Sequence, residues 1–270
     1  MESIEALNIL VAVFDDVDAL LLIFVRILGV FMTLPLISGQ NIWNMARLFF
    51  AFVFAVIIYL SGIASTSFYL DSTLGYVYIL LIEFLCGVLI GYAAYLVFNL
   101  ILFTGQIFDF NIGLAMVNVL DPMTQIQVPI FGNLYYFTMM VMLAITGGIN
   151  TLLEGVIQSY VYLPIGTSWI IGNGELIMFL VHLLVESLIL ALRISMPIFG
   201  TMLLINIALG IMVKTVPAMN VFVVGLPVRL MVGFWIMVAV VAPFMGDAFR
   251  MIFNLAVYGM EGVIVGLRPR

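Results

Sequence analysis

The sequence predicts an all-α, membrane-type protein with over-long, kinked helices and one broken central loop. Three observations predict this class: 66% of the 270 residues are hydrophobic, the mean hydropathy is +1.33, and only 8% of the residues are charged. A typical soluble domain carries about 25% charged residues, so most of this surface is expected to meet lipid or other subunits. The net charge of −6, with no basic patch, argues against nucleic acid as a partner.

Six apolar segments are predicted as helices because each is a long hydrophobic run bounded by turn-forming residues. The segments cover residues 17–37, 47–64, 74–104, 130–149, 175–213 and 226–260. The predicted links are residues 37–46, 66–73, 105–129, 151–174 and 214–225. At about 20 residues per crossing, the chain suits one domain of roughly six spanning segments.

The third and fifth segments are too long for simple membrane spans. At about 1.5 Å per residue they would be roughly 46 and 58 Å long, whereas a hydrocarbon core is about 30 Å thick. Either each hides a turn and forms a hairpin, or the helices continue beyond the bilayer under the cover of partner subunits. Pro197 and Gly200 are candidate kinks in the fifth segment, and Gly87 and Gly91 form a small-residue face for close helix packing in the third.

The most informative interruption is residues 105–129, which read GQIFDFNIGLAMVNVLDPMTQIQVP. Backbone without regular hydrogen bonds cannot face lipid, so this segment must lie against protein or line a water-filled cavity. We therefore predict that it moves or gates. Met116 is flanked by apolar residues and would suit a deformable plug. Asp121 before Pro122 would end such a plug, since a residue that precedes proline disfavours helix.

Ionisable residues within the apolar segments are predicted to form buried polar packing, because a lone charge in hydrocarbon is costly. They are Arg26, Glu83, Glu175, His182, Glu186, Arg193, Asp247 and Arg250. Asp247 and Arg250 lie one helical turn apart and are predicted to pair. Arg26 and Glu83 are each isolated, and they pair either with one another or with a partner chain.

Four of these residues follow helical spacings of seven, four and seven. Glu175, His182, Glu186 and Arg193 would form one stripe that faces one neighbour rather than lipid. We interpret the stripe as an interhelical packing network, and a proton relay or a metal site is the functional alternative. The chain has one His and one Cys and lacks the common hydrolase, zinc-protease and P-loop motifs. No enzyme activity, cofactor or metal site is therefore predicted.

A second broken region is KTVPAMNVFVVGLPVR, residues 214–229. Pro217 is predicted to end one helix, and Pro227 suits the first turn of the next. Gly225 permits a tight backbone path. The stretch VFVVG is unusually apolar for a solvated turn, so we expect it to be buried against protein.

Three stretches spread over nearly the whole chain carry recognisable motifs. They are RILGVFMTLPLISGQNIWNMARLFFAF (26–52), TGQIFDFNIGLAMVNVLDP (104–122) and LLINIALGIMVKTVPAMNVFVVGLPV (203–228). Together they resemble the FliR family of flagellar biosynthesis proteins and its relatives in virulence type III secretion. The third motif is the most specific, through Asn206, Gly210, Lys214, Pro217, Asn220, Phe222, Gly225 and Pro227. Lys214 replaces the usual Arg and Ala218 a common Gln, which leaves the virulence branch open beside the favoured flagellar one.

The resemblance implies a subunit of the type III export gate, in the bacterial inner membrane at the flagellar basal body. The implied partners are FliP-like, FliQ-like and FlhB-like subunits, secreted unfolded polypeptides and membrane lipid. Residues 1–170 would resemble FliP and residues 171–270 a FliQ-like helical hairpin, in a cone-like channel largely lifted out of the bilayer plane. Such a channel would account for the over-long helices.

The same resemblance implies that the broken central segment plugs the closed channel. The predicted plug residues are Gly105, Phe108, Phe110, Gly113, Leu114, Met116, Val117, Val119, Asp121 and Pro122. Two other functions stay open at this point. One is a secondary transporter that couples through Glu83, Glu186 and Arg193, and the other is a structural anchor without a gating part.

Overall fold

The computed structural model describes residues 17–35, 43–64, 73–114, 129–166, 174–216, 221–236, 238 and 242–268. Within these residues the chain forms eight α-helices and no β-strand, so the predicted all-α class is confirmed. The helices are α1 (Val17–Thr33), α2 (Asn44–Leu60), α3 (Thr73–Ile112), α4 (Ile130–Ile145), α5 (Gly148–Tyr162), α6 (Gly174–Thr215), α7 (Val221–Ile236) and α8 (Ala242–Gly266).

The long predicted segments are single helices without a hidden turn, so the hairpin alternative is wrong for both. Helix α3 has 40 residues and α6 has 42, and α6 continues through Pro197. At about 1.5 Å per residue they are about 60 and 63 Å long. Gly87 does not break α3 but lets α1 approach it, because a Cβ atom there would overlap the Arg26 carbonyl. A Cβ atom on Gly29 would likewise lie only 2.5 Å from the Phe84 carbonyl oxygen.

In the described part of the chain, fewer helices are long enough to cross a membrane than the six spanning segments that were predicted. Among the described residues, α3, α6 and the Gly246–Gly266 part of α8 have the length and hydropathy for a span. A fourth span exists if α4 and α5, which meet at a bend of 75°, count as one. Helices α1 and α2 have 17 residues each and α7 has 16, which is short of the about 20 residues that a crossing needs.

Helix α5 lies in a stretch predicted to be a link, residues 151–174, so that prediction is wrong. Helix α5 carries Asn150, Glu154 and Gln158, which lower its hydropathy. Its apolar residues nevertheless follow a helical period, since Leu152, Val156 and Tyr160 are all buried. The helix is amphipathic rather than uniformly apolar, and a search for long hydrophobic runs overlooks it.

The C-terminal region also differs from its prediction. The sixth apolar segment is two helices, α7 and α8, and Pro243 in the first turn of α8 is the sequence signal for the new start. Helix α6 ends at Thr215, before Pro217, as predicted. Helix α7 begins at Val221, so Pro227 lies inside it rather than in its first turn. Within this chain Val223 is 68% exposed and Gly225 is buried, so burial of the whole VFVVG stretch would need another protein and stays a prediction.

The chain forms two compact units. The first unit comprises Met1–Leu96, Ile149–Leu183 and Ala256–Arg270, and the second comprises Val97–Gly148 and Leu184–Leu255. The boundaries fall inside α3, α6 and α8 and after the first residue of α5. The predicted division at residue 170 concerns likeness to other subunits rather than internal contacts, and it stays a prediction.

Candidate functional site

The candidate site lies in the second unit, where α3 ends and α4 begins on either side of residues 115–128. Five of the ten predicted plug residues lie in the described part of the chain. Gly105, Phe108 and Phe110 belong to α3, and Gly113 and Leu114 follow its end. The other five lie outside the described residues: Met116, Val117, Val119, Asp121 and Pro122. The predicted break at Gly105 is wrong, because the helix ends only at Ile112.

Helix α3 continues through Gly105 because two glycines let α3 and α4 touch along their backbones. A Cβ atom on Gly105 would overlap the backbone of Gly132, and one on Gly132 would lie 3.1 Å from the Leu102 carbonyl oxygen. A glycine inside a helix costs about 1 kcal/mol relative to alanine. The backbone contact that it permits offsets this cost here. Gly105 therefore allows α3 and α4 to pack closely together instead of breaking α3.

The three apolar plug residues that the structure describes differ in how far they are buried. Phe108 is buried at 1% exposure, and its ring meets the ring of Tyr135 edge to face at 5.1 Å between centroids. Within this chain Phe108 therefore packs against α4, and its role as a plug residue stays a prediction. Phe110 points away from this packing and is 76% exposed. Leu114 is half-buried just beyond the helix end.

Asp109 caps the start of α4 from a different helix. The residue before α4 is Pro129, which makes no side-chain cap hydrogen bond. The backbone N–H of Phe131 instead donates to Asp109 Oδ1 at 3.2 Å, and the carboxylate also faces the N–H groups of Ile130 and Gly132. The first N–H groups of a helix lack internal partners and carry partial positive charge, so they offset part of the cost of burying this carboxylate. The second oxygen, Asp109 Oδ2, has no hydrogen-bond partner within the described residues.

The end of α3 is fixed by the same residue. Gly113 adopts φ +94°, a backbone conformation that favours glycine. Its N–H donates to the carbonyls of Asp109 and Phe110, each at 3.2 Å. The side chain of Leu226 from α7 lies beside this turn. Asp109 thus accepts a hydrogen bond from a residue on each side of the segment 115–128, from Gly113 through its main-chain carbonyl and from Phe131 through its carboxylate.

Sequence reasoning missed Asp109 because it read residues 105–129 as one irregular segment. A usable signal was present. Pro129 precedes an apolar helix and offers no side-chain acceptor, so the first N–H groups of α4 require one from elsewhere. Asp109 and Asp121 are the two carboxylates in the preceding stretch.

A second polar site, in the first unit, pairs Arg26 with Glu83. Arg26 Nε donates to Glu83 Oε2 at 2.5 Å, and both side chains are fully buried. The other carboxylate oxygen, Glu83 Oε1, accepts the N–H of Gly166 at 2.8 Å. Of the two alternatives for these residues, pairing within the chain is therefore correct.

Arg26 also caps the C-terminus of α5. Its Nη1 donates to the carbonyls of Ser159 at 3.3 Å and Leu163 at 2.9 Å. These carbonyls lie at the helix C-terminus, where a cation is favourable. The guanidinium also lies 4.5 Å from the ring centre of Tyr160, whose hydroxyl donates to the Ile23 carbonyl at 2.9 Å. One buried cation thus holds α1, α3 and α5 together, and Tyr160 was missed because α5 was missed.

The predicted stripe on α6 is not buried within the chain. Glu175, His182, Glu186 and Arg193 are all exposed, and in the described part of the chain no ion pair joins Glu186 to His182 or Arg193. The buried face of α6 is displaced by one residue, about 100° around the helix. That face contains Leu176, Leu183, Ser187, Ala191 and Ser195.

The remaining predicted polar pair is also on the surface. Asp247 and Arg250 are exposed on α8, and no ion pair joins them within the described residues. The buried face of this part of α8 is formed instead by Ala248, Phe249 and Ile252. Among the described residues, no group of three or more His, Cys, Asp or Glu side chains is arranged to hold a metal ion.

The C-terminal motif divides between two helices. Asn206, Gly210 and Lys214 are exposed at four-residue spacing on α6 and share one face. Gly225 is buried in α7 and Pro227 is exposed there. Phe222 lies in the first turn of α7, and Pro217 and Asn220 lie outside the described residues. The role of this motif stays a prediction.

Comparison with known proteins gives a family match over most of the chain. Residues 17–256 match the family described as Bacterial export proteins, family 1. The chain is 30% identical over 254 residues to the Flagellar biosynthetic protein FliR of Bacillus subtilis (strain 168), covering 94% of this chain and 97% of that protein. It is 25% identical over 239 residues to the Flagellar biosynthetic protein FliR of Escherichia coli (strain K12), covering 85% and 88%. It is also 26% identical over 147 residues to the Yop proteins translocation protein T of Yersinia pestis, covering 54% and 56%.

Proposed function

The chain belongs to the bacterial export proteins, family 1, as its motifs predicted, and from this premise we propose that it is a core subunit of a type III export gate. We assign it to the flagellar branch. This assignment is supported by how much of each relative is aligned. The alignment to the Bacillus subtilis FliR spans 97% of that protein, whereas the alignment to the Yop proteins translocation protein T spans 56% of that one. The gate would lie in the bacterial inner membrane at the flagellar basal body.

The observation that carries this proposal is the exposed apolar length of α6. Large hydrophobic side chains are exposed along the whole helix, from Ile177 near its start to Met212 near its end. The helix is about 63 Å long, and lipid tails cover only about 30 Å. The remaining apolar surface requires protein cover, because an apolar patch of this size facing water is rarely stable. FliP-like, FliQ-like and FlhB-like subunits would supply that cover.

The plug role is supported by the described residues that flank the segment 115–128. Gly113 before it and Phe131 after it are both hydrogen-bonded to Asp109, and these flanking residues form one base. A chain segment of this length with both ends at one base extends at most about 24 Å from it, at about 3.4 Å per residue. The apolar residues Met116, Val117 and Val119 would exclude water from a narrow passage and leave it when an unfolded polypeptide passes.

The decisive experiment deletes residues 115–120 in the assembled complex and measures ion leakage across the membrane. This deletion leaves Asp109, Gly113 and α4 in place, so the base is kept. We expect ion leakage while assembly with FliP-like and FliQ-like subunits persists. A control replaces residues 115–120 with the same residues in another order, which keeps length and composition and is expected to leak less. A complex that stays as ion-tight as the wild type after the deletion would contradict the plug.

Two observations distinguish the proposed gate subunit from a secondary transporter and a structural anchor: the behaviour of the chain when it is purified alone, and the effect of the deletion. A gate subunit is expected to be unstable without its partners, whereas a secondary transporter is stable as a single chain and binds a solute. Glu83 gives the transporter no support, since both its carboxylate oxygens are engaged by Arg26 and Gly166. A structural anchor without a gate predicts that the deletion changes neither leakage nor secretion.

A further inference from the structure

An open groove lies between α5 and α8 in the first unit. It has two adjoining compartments of about 100 and 300 Å³, and Gln158 and Glu261 line both of them. Glu154 of α5 and Glu261 of α8 both line the smaller compartment, and Arg268 lines the larger one. The larger volume is at the lower end of the range for ligand pockets, so the groove has room for one long side chain.

The floor of the groove is apolar and its rim is acidic. Met260 and Ile264 line the groove and are buried, whereas Glu154 and Glu261 are exposed. Gly155 keeps the floor open, because an added Cβ atom would lie 3.2 Å from Met260 Cε. This combination suits a lysine or arginine side chain, whose methylene stem lies along apolar surface while its charged head stays at a polar rim.

The two glutamates of the rim receive no cation from the described chain. In the part of the chain that the structure describes, neither forms an ion pair or a side-chain hydrogen bond. Arg268 is engaged with Tyr162 instead: its guanidinium carbon lies 4.5 Å from the ring centre, and its Nε donates to the Tyr162 carbonyl at 3.3 Å. Glu261 belongs to the part of α8 that is apolar enough to span a membrane, where an unpaired carboxylate is costly. A cation from outside the described residues is therefore required.

The charge of the whole first unit favours a basic partner. The unit holds ten of the 14 acidic residues and four of the eight basic ones, so the second unit is left with four of each. The net charge of −6 therefore lies entirely in the first unit. A surface of this sign attracts basic groups and repels acidic ones, anionic lipid headgroups included.

We propose that this groove binds a lysine or arginine side chain of a neighbouring subunit. The charged head lies between Glu154 and Glu261, and the methylene stem packs on Met260 and Ile264. The proposal rests on the export-gate assembly proposed above, because it names the chemistry of one contact in that assembly.

The first test identifies the occupant of the groove. A small photoreactive diazirine amino acid replaces Thr151 at the smaller compartment or Val265 at the larger one, and both positions are exposed. The complex is cross-linked in intact membranes. We expect a cross-link to a peptide of another subunit, beside a lysine or arginine. Cross-links to lipid alone, to residues 269–270 of the same chain, or to no protein at all would overturn the inference.

The second test removes the two charges and keeps the shape of the groove. The variant Glu154→Gln with Glu261→Gln is compared with Asp247→Asn, which removes an exposed carboxylate of α8 outside the groove. The measurement is the rate at which the cross-linked subunit dissociates from the solubilised complex at low salt. We expect dissociation about thirtyfold faster than in the wild type, the lower end for removing one partner of a buried charge pair, and no change in the control.

A charge exchange completes the test. Glu261→Lys should weaken the contact, and changing the cross-linked basic residue of the other subunit to glutamate in the same complex should restore it. This exchange also decides if the double glutamine variant fails to assemble, and no restoration would overturn the inference.

The groove and the proposed function fail in different ways. A wild-type chain that purifies without any other subunit would count against the export-gate assembly, and it would remove the occupant of the groove with it. A wild-type complex that forms normally, with a double glutamine variant that dissociates no faster than Asp247→Asn, would overturn the groove contact alone.

Discussion

The guanidinium of Arg26 and the carboxylate of Glu83, 57 residues apart in sequence, form a fully buried ion pair with 2.5 Å between Nε and Oε2. Each partner has further bonds: Arg26 reaches two carbonyls at the end of α5, and Glu83 accepts the N–H of Gly166. Buried charges are tolerated when they are paired and hydrogen-bonded. The pair therefore fixes the arrangement of three helices in the first unit, and it is the point where a single substitution should cost most.

We predict that Glu83→Gln and Glu83→Leu destabilise the first unit strongly. Each leaves Arg26 charged and buried without its counter-ion, a situation that costs about 3–5 kcal/mol. The double variant Arg26→Met with Glu83→Leu removes both charges and should be less damaging than Glu83→Leu alone. The measurement is the yield and thermal midpoint of the purified complex. A double variant that is worse than Glu83→Leu would show that the hydrogen bonds of Arg26 to α5 matter more than the pairing.

Two tyrosines provide a matched comparison. The hydroxyl of Tyr160 donates to the Ile23 carbonyl at 2.9 Å, whereas the buried hydroxyl of Tyr135 has no hydrogen-bond partner within the described residues. Tyr160→Phe is therefore expected to destabilise by about 1 kcal/mol through the loss of this buried hydrogen bond. Tyr135→Phe is expected to be neutral or stabilising. Thermal midpoints of the two variants check this, and equal losses in both would contradict it.

Two glycines of the second unit should respond to alanine in opposite ways. Gly105→Ala places a methyl group into the backbone of Gly132, so α3 and α4 must separate and the complex should lose stability. Gly200 has no atom within 4 Å of an added Cβ within this chain, so Gly200→Ala should gain up to about 1 kcal/mol of helix stability. Thermal unfolding of the two variants measures the difference. A harmless Gly105→Ala would mean that the two helices are not in close contact.

Hydropathy and helix length were readable from the sequence, but the role of each break was not. Long apolar runs predicted α3 and α6, and both helices continue through residues that could break them: Gly105 packs against Gly132, whereas Pro197 is exposed. Gly105 illustrates the difficulty. The sequence shows a glycine, but only the position of Gly132 decides whether it breaks a helix or brings two together. Pair contacts of this kind depend on the fold and leave no local pattern.

The polar residues show a second limit. A helical period correctly placed Glu175, His182, Glu186 and Arg193 on one stripe, but a period does not say which stripe is buried. The buried stripe lies one residue further on and consists of small and aliphatic residues. The sequence showed that Arg26 and Glu83 each need a partner. It did not show that they are close to one another in the fold, so their pairing could not be predicted.

The sharpest test of the proposed seal replaces the apolar side chains of residues 116–119 without changing the length of the segment. Burying a Val or Met side chain contributes about 1.5–3 kcal/mol, so serine at Met116, Val117 and Val119 removes most of the driving force for a dry, closed passage. The triple serine variant is expected to leak ions while it still assembles and secretes. The control is Met116→Leu, Val117→Ile and Val119→Ile, which keeps the segment apolar and should stay tight. Leakage is measured in cells that hold the complete complex. Tight serine variants would mean that these side chains do not seal the passage, and leakage in the apolar control would mean that their shape matters more than their hydrophobicity.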